Sequence, residues 1–375
     1  MKNLTLIFAR LDKELLGKDV FLVPYYWAQK NNYSLTVVYK REERNLDLPE
    51  CYCGARLLPL RHKFLFSSLC YLLLNASRID LLMTFHFSWR SCLLFSVYKL
   101  INKYGWAYLK MDLSSQALFG MEQAMGNQGI KGCFYRKIYP QMIAVSDVLS
   151  CETKLCYGKM RSWLSEWAGE AGTNRLVFMP NGFDEQQRIA LNVKVRDFSE
   201  KENIILTVGR LGALPKNTEL LLDALADIEL NDWKICLVGT IENGFQEYIR
   251  DFMNLHPELK DKVSFVGSIH NKAKLWDLYS RSKVFVLTSR WESYGLVLNE
   301  AYRFKNFIVS TNVGAASDIV RGKYGTVFKS ESKESLVKIL NDVTNGNMNI
   351  DVYRDKEPDD LFWEKVVEAV KIGDR

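Results

Sequence analysis

The feature that most limits the fold of this chain is the alternation of short apolar runs with predicted helices along most of its length. In the first half, strand-like runs occupy residues 4–8, 35–39, 79–85, 106–111, 142–145 and 175–179. In the second half they occupy residues 204–208, 234–238, 263–266, 284–288 and 307–310. Strands that alternate with helices form parallel sheets. The sequence therefore predicts an α/β protein made of two doubly wound, Rossmann-like halves.

The length of 375 residues, with 48% apolar and 25% charged residues, favours two domains over one. The turn at residues 180–184 closes the first half, and the polar segment 197–203 is predicted to be a linker. We expect an N-terminal domain over residues 1–195 and a C-terminal domain over residues 203–355. Residues 356–375 are expected to form a terminal helix, because their apolar residues recur at helical spacing.

Charge and apolar patterning exclude several classes of protein. The net charge of +6 does not by itself indicate a nucleic-acid binder, although it suits contact with anionic substrates or lipids. The apolar run at residues 4–9 is interrupted by Arg10, and no run approaches ~18 uncharged apolar residues, so we expect neither a signal peptide nor a membrane span. The eight cysteines show no zinc-ribbon spacing or dense disulfide pattern, which predicts mostly buried thiols and a cytoplasmic protein.

The segment 289–301 carries the strongest functional signal. It follows the apolar run at 284–288 and is predicted to form a turn and then the start of a helix, whose free N–H groups bind anions. Gly295 would let a phosphate approach the backbone, and Glu292 and Glu300 would accept hydrogen bonds from hydroxyls on either side of it. A sugar diphosphonucleoside presents these groups.

Two other interpretations of this segment are open. The segment is equally compatible with an ordinary strand-to-helix connection whose glutamates are solvated. A glycosidase carboxylate pair is disfavoured: wholly helical geometry over residues 292–300 gives a rise of roughly 12 Å, beyond the ~5 to 9.5 Å used in glycoside hydrolysis.

Further candidates follow other predicted strands. Gly209 and Arg210 end the first strand of the second half, and Lys216 opens the next helix, so a guanidinium and an ammonium are available for a leaving diphosphate. The alternative is a pair of solvated cations. His86 and Asp112 end two strands of the first half, where doubly wound sheets bind ligands, although each residue is equally suited to a local cap.

Glycines complete the set of candidates. Gly239 ends a strand of the second half, and Gly17 lies in the loop after the first strand, where a turn role is favoured over a ligand contact. No Gly-x-Gly-x-x-Gly motif follows that first strand, which argues against a dinucleotide-dependent dehydrogenase.

Taken together, these motifs resemble the retaining nucleotide-sugar glycosyltransferases of family 4, which have the two-domain GT-B architecture. The resemblance covers nearly the whole chain and is most specific between Gly209 and Gly325. It is carried by Gly209-Arg210 with Lys216, Glu292-x7-Glu300 followed by Ala301, the turn at 180–184, Gly314, Tyr324-Gly325 and Trp363.

The resemblance implies two Rossmann-like domains facing each other across a cleft, with the terminal helix crossing back to the first domain. It implies that Arg210 and Lys216 hold the leaving diphosphate, that Glu292 contacts donor-sugar hydroxyls, and that Glu300 holds the ribose. The backbone at Gly295 and Leu296 would meet the phosphate, and Ser268 and Ile269 would flank the base. The predicted catalytic residues are Arg210, Lys216 and Glu292, and the predicted donor-site residues are Gly17, Asp112, Gly209, Arg210, Lys216, Gly239, Ser268, Ile269, Glu292, Ser293, Tyr294, Gly295, Leu296 and Glu300.

The resemblance also implies retention of anomeric configuration, no metal and no cofactor, and the chain has no Asp-x-Asp pair of the kind that holds a metal-bound nucleotide sugar. One departure concerns the first domain. Many relatives carry a histidine near the sugar at the position where this chain has Met111 and Asp112. Either His86 or Asp112 is therefore the expected sugar or acceptor contact there.

Two segments of the first half, residues 61–78 and 131–139, combine cations with aromatic residues. They are compatible with packing in the core or with contact to an anionic membrane surface.

The function predicted from the sequence is transfer of a sugar from a nucleoside diphosphate sugar to a hydroxyl of a glycan or polyprenyl-linked acceptor. The resemblance implies surface polysaccharide biosynthesis, which places the protein in the cytoplasm at the inner face of the membrane, with no nucleic-acid partner. Alternatives are a nucleotide-sugar 2-epimerase, which acts without an acceptor, and a non-catalytic nucleotide-sugar-binding subunit.

Overall fold

The computed structural model describes residues 1–61, 63–354 and 356–373, and for Lys131 the backbone alone. The chain divides into two compact units. The first comprises Met1–Gly182 together with the C-terminal segment that starts at Phe362, and the second comprises Phe183–Leu361. The division after Gly182 differs from the boundary predicted at residue 195, because the segment that starts at Phe183 packs with the second unit.

The first unit contains one sheet with helices between its strands. Its strands are Lys2–Ile7 (β1), Tyr33–Lys40 (β2), Cys51–Tyr52 (β3), Ala55–Leu60 (β4), Leu81–Phe85 (β5), Trp106–Lys110 (β6), Val148–Cys151 (β7) and Leu176–Phe178 (β8). Its helices are Asp19–Asn31 (α1), Phe64–Asn75 (α2), Trp89–Ile101 (α3), Ser115–Gly126 (α4), Ile130–Val145 (α5) and Lys154–Thr173 (α6). The strand order is β3-β4-β2-β1-β5-β6-β7-β8, and the pairs are parallel except for the antiparallel hairpin of β3 and β4.

The second unit repeats this plan with a fully parallel sheet. Its strands are Glu202–Val208 (β9), Lys234–Val238 (β10), Val263–Gly267 (β11), Ser282–Leu287 (β12), Phe307–Thr311 (β13) and Gly325–Phe328 (β14). Its helices are Glu185–Ala190 (α7), Thr218–Leu225 (α8), Phe245–Leu255 (α9), Lys272–Arg281 (α10), Leu296–Arg303 (α11), Ala316–Val320 (α12) and Lys333–Thr344 (α13). The order is β11-β10-β9-β12-β13-β14.

Both sheets are built from strands that helices cover on both faces. All five residues of β5 and all five of β13 are buried, which explains why these segments are continuous apolar runs rather than alternating ones. In each sheet the chain first adds strands on one side of its first strand and then on the other side. The strand order therefore reverses between β1 and β5 and between β9 and β12. The carboxyl ends of strands at such a reversal form the ligand crevice of open α/β sheets. The prediction of two doubly wound halves is confirmed.

Two predicted elements were wrong in detail. Residues 142–145, predicted as a strand, are the last turn of α5, and the strand is Val148–Cys151 instead. The predicted terminal helix is only Trp363–Val366 (α14) followed by a 3-10 turn at Val367–Ala369. This segment packs through Trp363, which is 1% exposed, and its Val370 carbonyl accepts a hydrogen bond of 2.9 Å from the buried Trp27 indole.

The segment 197–203, predicted to be a linker, is part of the second unit. Lys201 is 6% exposed, and its ammonium donates to the carbonyls of Ser280, Ser282 and Phe304 at 2.9, 2.9 and 2.7 Å. Burial, together with the nearby cations Arg196 and Lys305, lowers the pKa of Lys201 to about 7. Three carbonyl acceptors require three N–H donors, which the protonated amine supplies. The segment is therefore anchored to the second unit by the buried Lys201 amine.

We expect Lys201→Met to destabilise the second unit by about 3 kcal/mol or more, because three buried carbonyls lose their donor while the side-chain volume is kept. Lys234→Met, at an exposed position of β10, is the matched control. Urea unfolding followed by circular dichroism measures both variants. Equal unfolding midpoints for the two would show that the three bonds contribute nothing.

The cysteines and the apolar helices differ in how far they follow the sequence predictions. Cys92, Cys151 and Cys156 are buried, whereas Cys51, Cys53 and Cys133 are exposed, so the prediction that most thiols are buried was wrong for these three; none of the eight cysteines forms a disulfide. Within the described residues, no helix combines the length and the apolar character that a membrane crossing needs.

Candidate active site

The candidate site of the second unit lies where its strand order reverses. The neighbouring strands β9 and β12 both end there, β9 leading into Gly209 and Arg210 and β12 into the segment 288–295. Gly209, Arg210, Lys216 and Thr288 line one cleft at this edge. Two sequence motifs that are far apart in the chain are thus brought to one place by the topology of the sheet.

Lys216 and Glu292 form the centre of this site. The Lys216 Nζ lies 2.5 Å from Glu292 Oε1, although the residues are 76 positions apart in sequence. The side chains are 22% and 13% exposed, so the pair is sheltered but open to a ligand. The Ser289 hydroxyl donates to the same carboxylate oxygen at 2.7 Å. Glu292 is therefore oriented from two sides, and the ammonium keeps further donors for an incoming anion.

The loop that carries Lys216 is fixed by contacts that the sequence did not reveal. The Thr288 hydroxyl donates to the Lys216 and Asn217 carbonyls at 3.0 and 2.9 Å. The Arg290 backbone N–H and its Nη1 donate to the carbonyls of residues 215 and 214, both at 2.8 Å. Arg290 Nε also bonds Glu331 Oε1 at 2.7 Å. The only sequence signal was the position of Arg290 inside the recognised segment, because its partners are distant in the chain.

Arg210 is arranged differently from Lys216. Its side chain is 63% exposed, and its Nη1 lies 3.6 Å from Glu242 Oε1. The structure therefore places Arg210 at the same cleft as Lys216, but Arg210 pairs with an exposed carboxylate, that of Glu242, rather than with Glu292.

The turn between Glu292 and α11 has the backbone form expected of an anion site. Gly295 has a φ of +86°, a left-handed conformation that favours glycine, and α11 starts at Leu296 with no side-chain cap on its N–H groups. Tyr294 is buried and its hydroxyl donates to Asn299 at 3.0 Å, so only its backbone faces the turn, whereas Ser293 is exposed. A Cβ at Gly314 would lie 2.4 Å from the Tyr294 carbonyl oxygen, so glycine is needed there for close packing.

Glu300 lies in the second turn of α11 and is held by an aromatic residue of α10. The Trp276 indole N–H donates to Glu300 Oε1 at 2.9 Å. Burial, followed by the nearby Glu300 carboxylate, raises the pKa of the Tyr279 hydroxyl well above its usual range. Sequence reasoning missed Trp276, which looked like an ordinary core residue of a helix.

Backbone hydrogen bonds join the ends of β9, β10 and β11 next to this site. The Gly209 N–H donates to the Val238 carbonyl and the Gly239 N–H to the Gly267 carbonyl, each at 2.9 Å. A Cβ at Gly239 would lie 1.6 Å from the Gly209 carbonyl oxygen, so this predicted site residue serves a close backbone approach. Ser268 is exposed, with its hydroxyl 2.9 Å from that of Thr240, and Ile269 is half-buried beside it.

The site candidates of the first unit lie at a separate sheet edge. His86 follows β5 and Asp112 follows β6, with 3.6 Å between His86 Nδ1 and Asp112 Oδ2. Gly17 ends a 3-10 turn just before α1.

Part of this chain is similar in sequence to known glycosyltransferases. The family model described as "Glycosyl transferases group 1" matches residues 189–355, which lie within the second unit and make up less than half of the chain. A curated glycogen synthase of Thermodesulfovibrio yellowstonii is 26% identical over 175 residues, which is 46% of this chain and 32% of that protein. The chain covers between 28% and 45% of the lengths of the curated relatives that it matches.

Solved structures resemble the whole chain. The lipopolysaccharide outer core galactosyltransferase WaaB aligns over 98% of both chains with a TM-score of 0.68 and 13% identity. The HepE protein of Anabaena, solved in complex with UDP and glucose, aligns over 98% of this chain and 94% of its own with a TM-score of 0.61 and 14% identity. The chain has the GT-B fold of two parallel-sheet α/β units, and the family match to its second unit supports a glycosyltransferase.

Proposed function

We propose that this protein transfers a sugar from a nucleoside diphosphate sugar to a hydroxyl of a glycan or lipid-linked acceptor. The observation that carries the proposal is the Lys216–Glu292 pair, held at 2.5 Å where β9 and β12 end and close in sequence to the uncapped N-terminus of α11. A cation, free backbone N–H groups and an oriented carboxylate are the groups that a sugar diphosphate needs.

Each group has a role in the proposed reaction. As the bond between the anomeric carbon and the diphosphate breaks, negative charge grows on the leaving phosphate, and Lys216, Arg210 and the N–H groups at Gly295 and Leu296 stabilise it. Glu292 accepts hydrogen bonds from sugar hydroxyls and keeps the sugar oriented during transfer. Glu300, fixed by Trp276, accepts from the ribose hydroxyls.

The proteins that share the fold support a nucleotide-sugar donor. HepE was solved with UDP and glucose, and WaaB is a galactosyltransferase of the lipopolysaccharide outer core. We propose by analogy that the chain belongs to the family 4 enzymes, that transfer retains the anomeric configuration and that the product is a surface polysaccharide. NMR of the anomeric proton in the product tests retention.

The decisive experiment is a screen of nucleotide sugars with and without a mixture of glycan and polyprenyl-linked acceptors. A ligand at 100 times its Kd stabilises the folded protein by about 2.7 kcal/mol, so thermal shift identifies the donor. We expect nucleoside diphosphate release and a product one sugar heavier than the acceptor. Acceptor-independent interconversion of two nucleotide sugars would instead indicate an epimerase, and binding with no product would indicate a non-catalytic subunit.

We also propose that the reaction needs no divalent metal, because cationic side chains and helix N–H groups are available for the leaving diphosphate. Transfer by protein incubated with excess EDTA should therefore proceed at an unchanged rate. Activity that disappears with EDTA and returns with Mg²⁺ or Mn²⁺ would contradict this.

We further propose that the first unit meets the inner face of the cytoplasmic membrane. On α2, Leu72 is buried while Phe66, Leu73 and Leu74 are exposed, Leu74 by 80%. Residues 131–139 divide in the same way: Tyr139 is core, whereas Phe134 and Lys137 are exposed. In each segment, therefore, one face packs into the core, and the other face carries exposed apolar residues near cations.

Arg136 and Lys131 limit the design of the membrane test. The Arg136 guanidinium donates to the Met125 and Asn127 carbonyls at 2.7 and 2.8 Å, so replacing it would disturb the connection between α4 and α5. The Lys131 side chain lies outside the described residues. Exposed Lys63 and Lys137 are therefore the cations to replace.

The protein is expected to bind vesicles containing phosphatidylserine with an affinity that falls as salt rises, because exposed charges are screened over about 8 to 10 Å at moderate ionic strength. Lys63→Gln with Lys137→Gln should weaken sedimentation with these vesicles, whereas Lys234→Gln with Lys260→Gln, on the second unit, should not. No salt-sensitive binding by the unmodified protein would favour a soluble glycan acceptor.

A further inference from the structure

Two arginines of the first unit follow neighbouring strands and lie side by side. Arg41 comes directly after β2, and Arg61 comes directly after β4. The parallel register pairs Lys40 with Leu60, and the Arg41 backbone N–H donates to the Leu60 carbonyl at 2.9 Å. Continued by one residue, this register places Arg41 beside Arg61, on strands that lie about 4.8 Å apart. The two arginines are therefore neighbours at the carboxyl edge of the sheet.

No carboxylate of the protein neutralises this pair. Both arginines are exposed, and within the part of the chain that the structure describes neither forms an ion pair. The carboxylate next in the chain, that of Glu42, is shared by Lys40, at 2.7 Å, and Arg44. Like charges on neighbouring strands repel each other. The pair is therefore destabilising unless an anion lies against it.

Two further cations border the pair. The Lys40 backbone N–H donates to the Ala9 carbonyl at 3.0 Å, which places Arg10 on the β1 side of Arg41. Lys63, on the β4 side, is exposed and has a φ of +46°, which is uncommon for a residue other than glycine. The ends of β1, β2 and β4 thus form a cationic edge that attracts anions.

The helix that starts at this edge exposes apolar residues. Helix α2 begins at Phe64, and its residues Phe66 and Leu73 are 66% and 64% exposed. These two residues are seven positions apart, which is about two helical turns and roughly 10 Å, so they lie on one face of α2. An exposed apolar strip therefore extends along α2 away from the arginines.

The cationic edge and the apolar strip together select an amphiphilic ligand. A guanidinium group binds phosphate oxygens bidentately, and two adjacent guanidinium groups match the two phosphates of one diphosphate. A hydrocarbon chain attached to that diphosphate would cover Phe66 and Leu73. A neutral, soluble glycan offers neither the negative charge nor the apolar chain.

We infer that Arg41 and Arg61 bind the diphosphate of a lipid-linked acceptor, and that Phe66 and Leu73 contact the first part of its hydrocarbon chain. The inference rests on the proposed function and deepens it, because it names the chemical class of the acceptor. Anionic membrane lipids carry similar phosphate groups, so the test must separate these two sources of phosphate.

The first test is titration calorimetry with geranyl diphosphate at about 0.15 M salt, which screens long-range attraction. The protein carries Lys216→Ala, so that the proposed donor site contributes little. Adding Arg41→Gln and Arg61→Gln should raise the Kd about tenfold or more, because charge-assisted hydrogen bonds are lost. The matched control, Arg56→Gln with Arg78→Gln, removes two exposed arginines of the same unit and should leave the Kd unchanged. Equal Kd values for the two double variants, or no binding by the unmodified arginine pair, would overturn the inference.

The apolar strip is tested with the same calorimetry. Phe66→Ser with Leu73→Ser should weaken binding of geranyl diphosphate and leave binding of inorganic pyrophosphate unchanged, because only the first ligand has a hydrocarbon chain. An unchanged Kd for geranyl diphosphate would overturn the assignment of the chain to α2.

Sedimentation with phosphatidylserine vesicles separates the acceptor from the membrane. If Arg41→Gln with Arg61→Gln weakens vesicle binding but leaves the Kd for geranyl diphosphate unchanged, the arginines meet lipid headgroups, and the inference is overturned. Loss of geranyl diphosphate binding with vesicle binding retained would support it.

Sugar transfer supplies the last readout. In the protein with Lys216 intact, Arg41→Gln with Arg61→Gln should raise KM for a polyprenyl-diphosphate-linked acceptor about tenfold or more and leave KM for the donor unchanged. An unchanged acceptor KM would overturn the site and leave the proposed function standing. If no nucleotide sugar were used, arginine-dependent binding of geranyl diphosphate would still support a lipid-diphosphate site, and the proposed function alone would fail.

Discussion

Lys216→Ala is expected to lower the turnover of sugar transfer by ~10² or more while the second unit stays folded. The ammonium stabilises charge that develops only as the diphosphate leaves, so its loss raises the barrier rather than weakening ground-state binding alone. Folding should survive, because the loop is held through the backbone carbonyls of residues 214–217, which Thr288 and Arg290 bind. Steady-state kinetics with the identified donor measure the effect.

Arg210→Ala is expected to produce a comparable loss, since Arg210 lines the same cleft. Glu242→Gln is the matched control: it removes the carboxylate 3.6 Å from Arg210 and should leave turnover near normal. Near-normal turnover in both folded cation variants would remove Arg210 and Lys216 from the mechanism. A loss confined to Lys216→Ala would mean that exposed Arg210 keeps its place beside Glu242.

Much of this arrangement was predictable, because strand order is a strong constraint. Once residues 204–208 and 284–288 are recognised as parallel strands of one sheet, their carboxyl ends must lie at one edge, and the motifs that follow them meet. The sequence thus predicted that Lys216 and Glu292 belong to one site, and the structure joins them directly.

The ambiguity of short apolar runs explains why residues 142–145 were predicted as a strand. The four residues 142–145 are apolar and short, and such a run fits a buried strand as well as the last turn of a helix. In the structure Met142 and Ile143 are buried from within α5, so helical packing prevails.

Distant contacts explain the shifted boundary. Glu185 is bonded by the Arg303 guanidinium at 2.8 Å from both Nε and Nη2, across 118 positions of sequence. These bonds attach Glu185 to the second unit, and the bonds of Lys201 attach the segment 197–203 to it. The polar composition of that segment is typical of a linker, and composition does not reveal bonding partners that are distant in the chain.

The orienting residues of the site were missed for the same reason. Trp276, Arg290 and Glu331 act through contacts with Glu300 or with the Lys216 loop, and none has a motif of its own. Residue types near a strand end identify which groups touch a ligand. The groups that orient them become visible only when the helices and loops are placed in three dimensions.

The carboxylates Glu292 and Glu300 are expected to separate chemistry from affinity. Glu292→Gln should lower the rate of the chemical step by ~10², because the amide cannot offer a charged acceptor to the sugar or pair with Lys216. Glu300→Ala should instead raise the Kd for the nucleotide about tenfold, through loss of the ribose acceptor. Single-turnover kinetics and titration calorimetry with the nucleoside diphosphate measure the two quantities independently.

The structure supplies the controls for this separation. Glu300→Ala also leaves the buried Trp276 indole N–H without its acceptor. Part of the loss of nucleotide affinity would then come from disorder of α10 rather than from the lost ribose contact. Trp276→Phe removes that donor and keeps an aromatic ring, so it reports the cost of losing orientation alone. If Glu300 binds the ribose, Glu300→Ala weakens nucleotide binding more than Trp276→Phe does, and neither variant changes the single-turnover rate at saturating donor as much as Glu292→Gln. Equal effects of the Glu292 and Glu300 variants on rate and affinity would show that the two carboxylates act as one unit.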